Sequence, residues 1–186
     1  MTVLRSRRGG FFAVFLTLLV AGCGSIRETV TSVSESVVPT CPDAGILTEA
    51  SRLTRFQEHS KGDLTDVLYE SEIRKVESSC SWSEEVIVVD LELEFVVAHG
   101  PASQGEKPRI DYFVGVTDRY RNVLSKENLE TTPTIPPGAS ATAWKEQLKQ
   151  RIPLEPGKNG GDYSVFVGFQ LNHAELDYNR RWYGRR

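Results

Sequence analysis

The chain contains few of the residues from which catalytic and metal centres are built. It has three histidines, three cysteines and one methionine. It lacks a Gly-x-Ser-x-Gly nucleophile motif and any short Cys-x-x-Cys or Cys/His cluster, and His59, His99 and His173 lie far apart along the chain. We therefore predict no catalytic residue, no metal site and no cofactor. The alternative is an envelope hydrolase whose site is formed from dispersed residues.

The sequence also lacks an apolar run long enough to cross a bilayer. Its main apolar segment, Phe11 to Ala21, has about eleven residues, whereas a spanning helix needs about twenty. Arg5, Arg7 and Arg8 precede this segment and no acidic residue does, which is the pattern of an export signal. The arginine pair also suggests twin-arginine export, but Gly10 stands where that signal prefers phenylalanine, so the general secretory route is favoured.

The end of this segment predicts a lipid anchor. Leu19-Val20-Ala21-Gly22-Cys23 resembles the lipobox of bacterial lipoproteins, in which a signal peptide, here residues 1–22, is removed and the cysteine receives diacylglycerol. Stable anchoring needs more than one acyl chain, and further chains such as palmitate on Cys23 supply it. Gly24, in place of Asp, matches lipoproteins that are sent to the outer membrane. The alternative is an ordinary secretory peptide with an incidental cysteine.

The mature protein is acidic. Removal of residues 1–22 lowers the basic residues from 22 to 19, against 25 acidic ones, so we predict no nucleic-acid partner, since such binding requires neutralised phosphates. After the lipidated cysteine, residues 24–40 are rich in Ser, Thr, Val and Glu. We interpret residues 23–40 as the lipidated cysteine and a flexible tether, with an extended reach on the order of 50 Å.

Two cysteines remain for the folded domain, Cys41 and Cys80. An even pair in an oxidising compartment predicts a disulfide that pins an early strand to its neighbour. Its loop of about forty residues corresponds to roughly 4 kcal/mol in the chain-entropy description. A metal site or a catalytic thiol is the alternative.

Alternation of apolar and polar residues predicts strands in most of the domain. It is clearest in residues 87–97, and residues 110–117 and 163–171 are apolar on both faces, as expected of central strands. Residues 67–82 fit one long strand if a bulge adds one residue. Residues 142–154 fit an edge strand that ends near Pro153, although residues 142–150 also have good helix propensity.

These segments, separated by Gly, Pro and Asn turns, predict a mainly β domain. The fold class that we expect over residues 41–179 is an antiparallel immunoglobulin-like β-sandwich of about seven strands. Ile46-Leu47 and Val123-Leu124 are short flanking strands, and residues 118–122 form a hairpin loop. Residues 180–186 form a basic aromatic tail. Asp90, Glu92 and Glu94 are expected on a solvated sheet face rather than at a cation site.

Several stretches of the chain carry a resemblance to a known family: Cys41-Pro42, Gly45-Ile46-Leu47, Tyr112 to Asp118, Val123 to Lys126, and Val167 to Leu171 with Tyr178-Asn179-Arg180. Together they resemble an uncharacterised family of alphaproteobacterial envelope lipoproteins. The resemblance covers most of the mature chain. It implies the envelope compartment, facing the periplasm, and it implies no activity.

The basic aromatic tail is the candidate contact site for a membrane or a partner. Its candidate residues are Arg180, Arg181, Trp182, Tyr183, Arg185 and Arg186. Arginine pairs with phosphate, and Trp and Tyr suit a water–membrane boundary, whereas a frayed tail that screens the acidic surface is the alternative. We expect a non-enzymatic, lipid-anchored binding or structural protein that contacts another envelope protein. A ligand-carrying lipoprotein would instead need a wide apolar cavity between its sheets.

Overall fold

The computed structural model describes residues 40–184. The signal peptide, Cys23 and residues 24–39 of the tether lie outside this range, as do Arg185 and Arg186. No helix among the described residues is long and apolar enough to span a membrane.

The described chain forms eight strands and one α-helix. The strands are β1 (Asp43–Ile46), β2 (Arg52–Phe56), β3 (Val67–Trp82), β4 (Val86–His99), β5 (Ile110–Asp118), β6 (Val123–Thr131), β7 (Ala141–Pro153) and β8 (Tyr163–Phe169), and the helix is α1 (His173–Tyr183). Short 3-10 turns occupy Thr48–Ala50, Leu64–Asp66 and Gly160–Asp162. The strands form two four-stranded sheets. Sheet I has the order β1-β8-β5-β6, and sheet II has the order β2-β3-β4-β7.

The two sheets enclose one core, which confirms a mainly β sandwich. The inward side chains of β4 are all at most 2% exposed, and burying each contributes roughly 1.5–3 kcal/mol. They are Ile87, Val89, Leu91, Leu93, Phe95 and Val97. At the centre, Phe95 stacks on Trp144 with ring centroids 5.0 Å apart and meets Tyr112 edge-on at 5.2 Å. Side chains, rather than an open cavity, therefore fill this region between the sheets.

The outward side chains at the middle of β4, Asp90, Glu92 and Glu94, are charged, as the alternation predicts. Asp90 pairs with Lys149 and Glu92 with Lys145, both across to β7. The hydrogen bond from Lys145 lowers the pKa of the Glu92 carboxyl. The outer face of sheet II is thus a solvated surface with paired charges. Within residues 40–184, no three His, Cys, Asp or Glu side chains are grouped so that they could hold a metal ion.

Several strand predictions are confirmed. β3 is one long strand, and its pairing with β4 shifts between Ile73 and Lys75, so Arg74 is the extra residue of a bulge. β7 is a strand rather than a helix, and it lies at the edge of sheet II and ends at Pro153. β5 and β8 are central in sheet I, and β5 and β6 form the expected hairpin.

The predicted disulfide between Cys41 and Cys80 is confirmed, with Cα atoms 5.7 Å apart. The two cysteines do not lie on hydrogen-bonded neighbours within one sheet. Cys41 precedes β1 in sheet I, whereas Cys80 lies on β3 in sheet II. The bond therefore links the two sheets at one side of the sandwich.

Other details also differ from the sequence prediction. There are eight strands in the described range, and β1 pairs with β8 in parallel, so the sandwich is not wholly antiparallel. β6 is a nine-residue strand rather than a short flanking one. β2 and α1 are not predicted. The expected boundary between domain and tail, at residue 179, falls inside α1.

Candidate functional site

An apolar groove of about 450 Å³ lies on the outer face of sheet I. Its walls include Leu47, Phe113, Val123 and Phe166, and its floor includes Gly115. Leu47 is 38% and Val123 69% exposed. β1, β8, β5 and β6 all contribute to the lining, so the groove crosses the whole width of the sheet.

Glycines opposite aromatic residues give the groove its depth. Phe166 lies in register between Gly45 and Gly115, and Phe113 is paired with Gly168. A Cβ on Gly168 would lie 3.1 Å from the Phe113 ring and 2.8 Å from Ala50, so glycine is needed there. At Gly115 the nearest atom to such a Cβ is 3.7 Å away. A Cβ at Gly115 therefore fits with ordinary van der Waals contacts.

Two cations, Arg121 and Lys126, and the hydroxyls of Thr48 and Thr117 supply the polar part of the groove. Lys126 Nζ lies 4.3 Å from the centre of the Phe113 ring and donates a hydrogen bond to Gln170 Oε1 at 2.7 Å. Arg121 lies in the β5–β6 turn and has a positive φ of 67°. Thr117 Oγ1 is buried and has no hydrogen-bond partner among the described residues. The groove thus presents positive charge beside an apolar floor.

The turn that carries Arg121 is held by Asp118. The Asp118 carboxylate accepts hydrogen bonds from the backbone amides of Tyr120 at 2.8 Å and Asn122 at 2.9 Å. The side-chain hydrogen bond from Asn122 is the main cause of the lowered pKa of Asp118. The loop is thereby fixed by its own side chains, as in an Asx-turn, and this holds the turn at one end of the groove.

The three histidines do not come together. His59 and His173 are exposed, in the loop after β2 and at the start of α1. His99 lies at the end of β4, where its Nδ1 is 2.7 Å from Ser103 Oγ. Ser103 Oγ is in turn 3.4 Å from Glu106 Oε2. This contact is the one place in the described chain where a histidine meets a serine and a carboxylate.

The order of these groups differs from that of a catalytic triad. In a triad the carboxylate holds the second ring nitrogen of the histidine, whereas Glu106 contacts the serine and accepts from the Gln104 amide at 2.8 Å. Burial raises the pKa of Glu106, but hydrogen bonds from the amides of Glu106 and Gln104 and from Ser103 outweigh it, so the pKa is lowered. The arrangement stabilises the loop after β4.

Helix α1 docks onto β2 and the turn before it. It begins with a capping box, in which Asn172 and Glu175 each accept from the other's backbone amide. Asn179, which is buried, donates to the carbonyls of Glu49 at 2.9 Å and Arg52 at 2.8 Å. The buried Glu175 pairs with Arg55 at 3.0 Å. These contacts fix the helix to the edge of sheet II.

Residues of the predicted tail form the last turn of this helix. Arg180 Nε contacts Glu49 at 3.1 Å, the guanidinium of Arg52 lies 4.8 Å from the Trp182 ring centre, and Tyr183 Oη lies 2.6 Å from Ser51 Oγ. Arg181 is exposed. Up to Tyr183 this segment is not a frayed end, because the helix cap and the contacts with Glu49, Ser51 and Arg52 order it. The sequence contained a signal for this helix, the Asn172-x-x-Glu175 spacing.

The start of β1 and the start of α1 lie at opposite ends of β8. β1 and β8 run in parallel, and Asp43 is paired with Ser164, so the chain enters at the end where β8 begins. α1 follows the other end of β8. Because β8 has seven residues, the two ends are separated by roughly 20 Å.

Comparison with known protein families, with curated proteins and with solved structures finds no match to this chain.

Proposed function

We propose that this protein is a lipid-anchored component of the bacterial cell envelope that acts by binding another envelope component. Its acylated Cys23 would hold it at the membrane, facing the periplasm and, from Gly24, at the outer membrane. The groove on sheet I would be its contact surface. The apolar outer face of sheet I is the single observation that supports a binding role most strongly.

The contrast between the two outer faces supports this proposal. A sheet face in contact with water is normally polar, and sheet II follows that rule with its pairs of Asp90 and Glu92 with lysines. Sheet I departs from it, because Phe113, Phe166 and Val123 line its outer face. Contiguous apolar surface on a soluble domain is a mark of an interaction site. Arg121 and Lys126 favour a partner with negative charge beside its apolar part.

The basic turn of α1 is a weaker candidate for the same role. Arg180, Trp182 and Tyr183 make contacts within the domain. A contact of these side chains with lipid headgroups is therefore less favoured than a contact through the groove. A ligand-carrying protein would also use the groove, since side chains fill the core.

We further propose that the sandwich is of the immunoglobulin-like type. The chain leaves sheet II after β4, forms the β5–β6 hairpin in sheet I, and returns to β7, which pairs with β4. Such crossings between two sheets of similar size are typical of Greek-key sandwiches. The domain would then be a rigid scaffold that presents sheet faces and edges to its partners.

Site-specific crosslinking tests the binding role. A photoreactive amino acid in place of Val123, in the full-length protein in its native membrane, is expected to give an adduct whose mass is defined and differs from that of two copies of this chain. The same amino acid in place of Gln147, on the outer face of sheet II, is the matched control and is expected to give none. Equal adducts from both positions, or none from Val123, would contradict the proposal.

A hydrolase is the second candidate, and the contact of Ser103 with His99 is the observation that favours it. A hydrolase of this kind would use Ser103 as the nucleophile and His99 as the base. Because Glu106 contacts the serine instead of the histidine, we expect no labelling of the intact protein by a fluorophosphonate probe. Labelling that Ser103→Ala abolishes and Ser125→Ala leaves unchanged would favour the hydrolase.

A further inference from the structure

Three of the four edge strands in the described chain are protected against pairing with another chain. β1 has only four residues. β2 lies under α1, whose Asn179 donates to the carbonyl of Arg52. β7 carries Lys145 and Lys149 on its outer face and ends at Pro153. Shortness, covering elements, lysine and proline are the usual means by which proteins prevent edge-to-edge association.

The fourth edge, β6, is less protected, because it has nine residues, no proline and a single lysine, Lys126. It pairs only with β5, and its residues are exposed apart from Leu129 and Thr131, which are half-buried. A register shift beside Leu124 disturbs its beginning, whereas residues 125–131 pair regularly with β5. This stretch therefore offers unpaired backbone groups in an extended conformation.

The side chains of β6 are complementary to a second copy of β6 in one register. In an antiparallel pair around a two-fold axis, each residue faces a residue on the same face of the sheet. An axis at Lys126 or at Glu127 would place like charges opposite each other. An axis at Asn128 places Lys126 of each copy opposite Glu130 of the other. Such opposite-charge pairs stabilise paired strands.

The present partners of these two side chains are weak competitors. Lys126 contacts the exposed Gln170 and the ring of the half-buried Phe113. Glu130 pairs with Arg109 at 2.8 Å, but the two side chains are 48% and 67% exposed. Surface ion pairs of this kind contribute little to stability. The side chains of Lys126 and Glu130 can therefore turn towards a second copy at a small cost in free energy.

We propose that β6 is the interface between two copies of this chain, paired antiparallel with Asn128 on the two-fold axis. The two copies of sheet I then form one continuous eight-stranded sheet. The axis is perpendicular to the sheet, so both grooves lie on the same face. This interface goes beyond the proposed function, since a single copy also has a complete groove.

A cysteine on the axis tests this register directly. In either type of antiparallel pair, residues opposite each other have Cα atoms about 4.5 or 5.5 Å apart, which a disulfide can bridge. Asn128→Cys in the full-length, membrane-bound protein is expected to give a disulfide-linked dimer on mild oxidation. Gln147→Cys, equally exposed on the protected edge β7, is the matched control and is expected to remain monomeric.

Charge reversal tests the pairing itself. In the Asn128→Cys background, Lys126→Glu places two acidic residues opposite each other and is expected to reduce the crosslinked fraction about tenfold. The exchange Lys126→Glu with Glu130→Lys is expected to restore it. No dimer from Asn128→Cys, equal dimer from Gln147→Cys, or a crosslinked fraction that these charge changes leave unaltered would overturn the proposal. Unchanged melting temperatures establish that the variants are folded.

Discussion

Replacing both Cys41 and Cys80 with alanine is expected to lower the free energy of unfolding by about 4 kcal/mol. The bond closes a loop of 39 residues and links sheet I to sheet II, so its loss frees the unfolded chain and also releases one side of the sandwich. Cys41 is exposed and Cys80 half-buried, so the substitutions leave little cavity. Thermal unfolding should show a fall in Tm of roughly 10 °C.

The reductant-treated protein is the control for this prediction. Reduction of the natural protein should lower its Tm to that of the double variant, and it should leave the variant unchanged. Ser79→Ala, next to Cys80 on the outer face of β3, should have a Tm within about one or two degrees of the natural protein. A double variant as stable as the oxidised protein would show that the bond does not hold the sheets together.

Cys23→Ser is expected to abolish incorporation of a labelled fatty acid into the protein. The serine hydroxyl does not replace the thiol that forms the thioether with diacylglycerol, and each buried methylene of the acyl chains contributes about 0.8 kcal/mol to membrane binding. Metabolic labelling with an alkyne fatty acid, followed by membrane fractionation, measures both the modification and the anchoring. The label should be present in the natural protein and absent from the variant.

The variant that lacks Cys41 and Cys80 is the matched control for lipidation. It retains Cys23 as its single cysteine, so it should carry as much label as the natural protein. Label on Cys23→Ser, or firm membrane binding without any label, would contradict the lipoprotein interpretation. A mature chain that begins upstream of residue 23 would contradict it as well.

The strands that the sequence predicts best are those whose two faces have different surroundings. In residues 87–97 every second side chain enters the core, and the others face outward, where Asp90 and Glu92 pair with lysines. The alternation is therefore a direct consequence of burial on one side. The bulge in β3 is also predictable, because Arg74 changes the parity of the apolar positions and only one additional residue restores it.

The alternation of apolar and polar residues does not predict β2 or α1. In β2 the adjacent residues Leu53 and Thr54 are both buried, because the strand lies at an edge that α1 covers, and the alternation is lost. In α1 the buried residues are Glu175 and Asn179, so the helix has no apolar stripe. It is stabilised by a capping box and by polar contacts with β2, which hydrophobic periodicity does not detect.

The groove depends on strand order, which the local pattern does not contain. Apolar residues on both faces of β5 and β8 correctly predict central strands, and Phe113 and Phe166 are among these residues. Their joint surface arises only when β8 lies between β1 and β5, and β6 adds Val123 at the other side. These pairings are distant in sequence, so the groove could not be derived from any single segment.

Filling the floor of the groove tests the binding role most directly. Gly115→Ala adds a methyl group whose carbon would lie 3.7 Å from the nearest atom, so the fold should tolerate it while the groove loses depth. With the photoreactive amino acid at Val123, we expect this change to abolish the adduct and to leave the Tm nearly unchanged. An adduct of undiminished yield in the folded variant would contradict the account.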